Sequence, residues 1–200
     1  MRIKSQWFKS DRPKTAAEVA GAAAFIGWRV AQNALKTMRA AKYDLPAGPR
    51  YFAFLAEILA FLVVVADRIA HGARDAAWRV EFTTAMANRV GEIVADNEAD
   101  HLGAAAPGEV KRGFVATVNE RAADYAHFDW TDEGPDYGML RYLGHRVAEV
   151  MDQDERSWAV SQVIDCEAPE AAETLHRGMA GLLDATPGQK ARRQRATTGE

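Results

Sequence analysis

Each of the five histidines has an acidic residue three or four positions away: Asp67/His71, Glu98/His101, Asp124/His127, His145/Glu149 and Glu173/His176. On a helix such pairs are neighbours on one face. Two chemistries use that spacing. One is a di-metal carboxylate centre of the ferritin-like kind, in which Glu and Glu-x-x-His ligands from four helices all point inward. The other is ordinary charge pairing on a solvated face.

Side-chain direction separates the two. With about 100° per residue, Glu120, Asp124 and His127 fall about 140° from the apolar line that runs through Phe114 and Tyr125. His145 lies opposite Leu143 and Val147. Metal ligands in a bundle core must share the apolar face, so surface pairing is the expectation for most of these residues. One set escapes that argument. Asn97 and Asp100 continue the apolar strip of Trp78, Phe82, Met86 and Ile93, and His101 lies at its edge. Glu57 is the other acid with apolar neighbours. Convergence of Glu57, Asp100 and His101, with Asn97, would make a polar pocket for a divalent transition metal or a small ligand. This is the metal-binding reading, an oxidase- or hydrolase-type bundle. The competing expectation is that the helix has left the core by Asn97, since helix ends are normally polar and solvated.

The Asp100-His101 pair resembles the Asp-His pair of the TorD/NarJ-type redox-enzyme chaperones, which are all-α and of similar size. That family has an acid and a proline just upstream, and those places here hold Asn97 and Glu98. The likeness covers two residues and implies no membership. It points only to acidic helical proteins as binders of basic peptides.

A second candidate is the acidic, aromatic stretch 128–138, FDWTDEGPDYG. Asp129, Thr131, Glu133 and Gly134 match the first half of a calcium-binding EF-hand loop. The twelfth position is Leu140, where a bidentate Glu is required, so calcium is not expected. A contact loop for a protein or basic peptide fits better. Trp130, Asp132, Glu133 and Tyr137 are the predicted contacts, because Trp and Tyr carry much of the binding energy at interfaces. The chain has no Gly-rich phosphate loop, GxSxG, HExxH or Cys-based metal spacing. Its one cysteine, Cys166, rules out an intramolecular disulfide and favours a reducing, cytoplasmic setting.

The elements that must position these residues are helical. The stretch 51–71, YFAFLAEILAFLVVVADRIAH, is the most apolar segment. Leu55, Ile58, Leu62, Val65 and Ile69 make one bulky face, and Ala53, Ala56, Ala60 and Ala70 make a second, thin one. A helix apolar over most of its circumference is buried among neighbours. It is too short, with Glu57 in its middle, for the roughly 20 apolar residues of a membrane span. Thr15-Ala-Ala-Glu18 is a capping box that starts a helix running to about Ala41. Pro49 suits the first position of the central helix. Further helices are expected over about 75–101, 109–127 (Phe114, Val118, Ala122 and Tyr125 inward), 139–165 (Leu140, Leu143, Val147, Val150, Met151 and Trp158 inward) and 169–184. The reading is an all-α, single-domain bundle of about six helices over 15–185, with a basic arm (1–14) and a basic, disordered tail (186–200).

The apolar fraction of 48% and charged fraction of 26% are ordinary for a globular domain. The net charge of −3 hides an uneven distribution: +7 over 1–50, −13 over 51–185 and +3 over 186–200. Basic ends on an acidic body either pair within the fold or bind nucleic acid or an anionic membrane surface. Pairing is the preferred expectation. Ala-rich faces and exposed Trp7, Phe8 and Trp28 lead to a homodimer. The leading functional expectation is a cytoplasmic adaptor or binding protein that presents an acidic surface. A metal-binding enzyme stands second. A membrane or nucleic-acid binder acting through the termini stands third.

Overall fold

A computed structural model describes residues 14–41, 43, 45–46, 48–103 and 106–183. The protein is an all-α helical bundle. In chain order the elements are α1 (Ala16–Ala40), α2 (Pro49–His71), α3 (Ala76–Leu102), α4 (Pro107–Tyr125), a two-stranded hairpin of β1 (Trp130–Thr131) and β2 (Gly134–Pro135), α5 (Tyr137–Val150), α6 (Arg156–Gln162), a π-helical turn (Val163–Glu167) and α7 (Ala168–Leu183). The predicted arm (1–14) lies outside the described residues except for Lys14, and the predicted tail (186–200) lies wholly outside them.

Local chemistry sets most of the helix starts. Thr15 Oγ1 accepts from the Glu18 N–H at 3.2 Å, and Glu18 Oε2 accepts from the Thr15 N–H at 2.9 Å, so the capping box is complete. Pro49 occupies the first turn of α2, where its missing N–H costs nothing. Asp75 caps α3 by accepting from the Trp78 N–H at 2.9 Å. Gly103, at φ 69°, ends that helix in the left-handed conformation that favours glycine.

The central helix α2 touches α1, α3, α4, α5 and α7. Phe54, Leu55, Leu59, Val63, Ala60 and Phe61 point in turn to every side of it and are fully buried. Each such side chain larger than alanine contributes roughly 1.5–3 kcal/mol by leaving water. The thin face of α1, made of Ala20, Ala23, Ala24, Gly27, Ala31 and Ala34, is also buried, and α1 lies against α2, α3 and α7. The Ala-rich surface expected at a dimer interface is therefore spent inside the fold. Trp28 was expected to be exposed and is buried. Trp7 and Phe8 lie outside the described residues. No helix among the described residues is long and apolar enough to cross a membrane.

Three sequence expectations are corrected. The helix expected over 139–165 is interrupted: α5 ends at Val150, and Met151 leaves it in an extended conformation. Trp158, expected inward, is 73% exposed on α6. Pro169 sits in the first turn of its helix, as expected, but that helix is not separate. The helical path runs from Arg156 through the π turn into α7, with Pro169 inside it. Proline inside an α-helix removes one ladder bond and clashes with the carbonyl four residues back. The ladder widens just before it, so that the Ala168 N–H reaches back to the Val163 carbonyl.

Candidate functional site

The stretch 128–138 folds as a clamp. Trp130 pairs with Pro135 and Thr131 with Gly134, leaving Asp132 and Glu133 at the tip. Gly134 takes φ 115°, a conformation that side chains resist. Thr131 Oγ1 donates to the Gly134 carbonyl at 3.1 Å and accepts from the Glu133 N–H at 3.2 Å. Asp136 closes the base. Its Oδ2 accepts from the Asp129 N–H at 3.2 Å, and its Oδ1 caps α5 through the Met139 N–H at 2.7 Å. From α2, Arg68 Nη2 donates to the carbonyls of Tyr125 at 3.2 Å and Phe128 at 3.4 Å, fixing the end of α4 beneath the hairpin.

The hairpin is one wall of a cleft of about 580 Å³. Arg68, Ile69 and His71 of α2 form the second wall, and Pro169, Ala172, Glu173 and His176 of α7 form the third. Trp130, Ile69, Leu140, Pro135, Pro169 and Ala172 give it apolar surface. Asp132, Glu133 and Glu173 bring three carboxylates, and His71 and His176 bring two imidazoles. The Arg68 guanidinium in the same cleft donates through Nη2 to backbone carbonyls, and its positive charge stands against the three carboxylates. Among the described residues no ion pair engages Asp132 or Glu133; Glu173 has only the exposed Arg177 at 3.7 Å. A pocket of this size with an apolar lining and a few polar groups suits an extended side chain or a small ligand. Of the predicted contacts, Trp130, Asp132 and Glu133 line the cleft. Tyr137, 66% exposed at the start of α5, stands outside the lining.

The structure places the metal candidates apart in character. Asp100 and His101 are exposed at the end of α3, and His101 Nδ1 lies 2.8 Å from the Asn97 carbonyl. The His101 ring packs near Tyr51 and Phe52, with centroids 6.4 and 6.1 Å away. Glu57 is buried, and its carboxylate is held from α4: Arg121 Nε donates to Oε2 at 2.8 Å and Arg121 Nη2 to Oε1 at 2.9 Å. Arg146 of α5 approaches Oε1 to 3.5 Å and also pairs with Glu149 at 2.7 Å. Both oxygens of Glu57 are thus engaged by a guanidinium. Among the described residues no group of three or more His, Cys, Asp or Glu is placed to hold a metal ion. The five histidines are all exposed.

The buried cluster continues outward. Arg121 Nη1 pairs with Glu120 at 2.8 Å and with Asp124 at 3.6 Å. Asp124 accepts from the Tyr142 hydroxyl. The bond to Glu57 holds the Arg121 guanidinium above its ordinary range, against the opposing effect of burial. Burial, aided by the bond to Asp124, pushes the Tyr142 phenol up to about 12. Burial raises Tyr125 well above the ordinary phenol range, with Glu57 and Tyr142 adding to it.

Arg121 was missed in the sequence, although its spacing gave a signal. Phe114, Val118, Arg121 and Tyr125 are the four buried residues of α4, spaced four, three and four apart. The expected inward residue was Ala122, which is exposed. An arginine on an apolar register calls for an acid opposite it, and Glu57 is that acid. In the sequence His71, Glu173 and His176 show only as members of pairs along their own helices. Their convergence depends on how α2 and α7 pack, which no local pattern encodes.

Compared with family models, with curated proteins and with solved structures, the chain matches none of them.

Proposed function

We propose that the protein is a binding module that takes up a basic segment of a partner protein in the cleft between the hairpin, α2 and α7. The observation that carries this reading is the composition of that cleft: three carboxylates around an apolar floor that includes Trp130. An arginine or lysine side chain matches both features. Its methylene stem covers apolar surface while its charged head reaches the carboxylates. Trp130 offers a ring face to a guanidinium, an arrangement worth roughly 0.5–1 kcal/mol at exposed sites. The buried Glu57–Arg121–Arg146 cluster ties α2 to α4 and α5.

The test is a fluorescence-anisotropy titration of the full chain with a labelled peptide of alternating arginine and leucine, beside a control in which glutamate replaces arginine. The arginine peptide binds and the glutamate peptide does not. Raising the salt weakens binding, because the charges are exposed enough to be screened. The triple variant D132N/E133Q/E173Q loses about tenfold or more in affinity, at roughly 0.5–1 kcal/mol for each charge removed at a partly exposed site. Equal binding by the wild type and the triple variant removes the reading.

A further inference from the structure

On the other side of α7, facing α1, runs a second groove of about 400 Å³. Phe25, Ile26 and Val30 of α1 form its apolar wall, and Phe25 keeps 48% of its surface exposed. Glu167, the last residue of the π turn, lines the groove while remaining only 2% exposed. Its Oε1 accepts from Gln162 Nε2 at 3.0 Å. Among the described residues no lysine, arginine or histidine forms an ion pair with it. Burial pushes its carboxyl up, the Gln162 bond works against that, and Glu170 adds to the rise. A buried carboxylate without a counter-ion is costly to keep, and here it borders a groove of small-molecule size.

The π turn decides where this carboxyl points. Pro169 explains why the ladder slips here. The slip inserts an extra residue, which rotates Glu167 by about 100° from where an unbroken helix from α6 would carry it. Such turns recur at functional sites. Glu170 brings a second carboxylate to the groove, and Arg29 faces them from α1. Two acids against one guanidinium leave room for one cationic head.

We propose that this groove binds a small organic cation, with an ammonium or amidinium group on the Glu167 carboxylate and an apolar or aromatic body against Phe25, Ile26 and Val30. None of these residues belongs to the hairpin cleft, so either proposal can fail alone.

The experiment is isothermal titration of the full chain with benzamidine, with benzoate as the control of opposite charge. Benzamidine gives saturable one-site binding and benzoate does not. E167Q keeps the shape and the acceptor for Gln162 but loses the charge. It weakens benzamidine by about tenfold or more, as expected for a charge-assisted hydrogen bond. F25A alters an exposed residue and weakens binding severalfold. No saturable heat at millimolar benzamidine, equal affinity in E167Q, or benzoate binding as tightly as benzamidine overturns the proposal. Should E167Q fail to fold by circular dichroism, unchanged affinity in F25A overturns it instead.

Discussion

Arg121 of α4 crosses to α2 and holds both carboxylate oxygens of Glu57, at 2.8 and 2.9 Å, with both side chains buried. The geometry is bidentate and desolvated, which makes each partner necessary to the other. R121M leaves Glu57 buried with only the longer approach of Arg146, and costs about 3–5 kcal/mol of stability. The double variant E57L/R121M regains most of that loss, because two apolar side chains of similar volume carry no desolvation penalty. Urea denaturation of the two single variants and the double measures both effects. A loss below about 1 kcal/mol in R121M would place this pair with weak surface bridges.

The hairpin wall has its own tests. D136A removes the cap of α5 together with the clamp on Asp129, and lowers stability by about 1–2 kcal/mol. A Cβ on Gly138 would lie 2.7 Å from Phe128 Cδ1. G138A therefore forces the Phe128 ring to shift, at a cost of about 1–3 kcal/mol. Thermal melts report the loss. Peptide affinity falls in both variants if the hairpin is a wall of the binding cleft.

The Tyr142 phenol is raised from its ordinary value of 10.0 to about 12 in the folded protein. Between those values the unfolded chain gives up a proton that the folded chain retains. The associated stability is full below pH 10 and disappears as the pH rises through about 12. Phenolate absorbance shows Tyr142 and Tyr125 losing their protons above the ordinary phenol value of 10.0. Y142F removes one late step and flattens the fall of stability in that window. Loss of both protons at the ordinary phenol value of 10.0 would contradict the burial of this cluster.

Periodicity and capping were enough to read the bundle. The run of apolar residues around α2 admits only a buried helix, and Thr15 with Glu18 marks the start of α1. What the sequence concealed were relations between helices. Glu57 was visible as an acid among apolar residues, which invited a metal. Its partner lies 64 residues away, on a line whose spacing points to Ala122 as the inward position. Trp158 shows the same limit in reverse: it shares the spacing of α5, yet the break after Val150 turns it to solvent. The π turn came from a clash between Pro169 and a helix that continues past it, which local rules read as a helix start. The contact loop was legible because its acids and aromatics are contiguous. The other two walls of the cleft were not.

Peptide binding in the hairpin cleft is tested most directly by the nuclear magnetic resonance footprint of the arginine–leucine peptide on isotope-labelled protein. Binding in the cleft concentrates the shifts at the backbone amides of Thr131–Gly134, at the Trp130 indole, and at His71 and His176 on the facing helices. Shifts confined to α1 and the outer face of α3, with the hairpin unmoved, would contradict it.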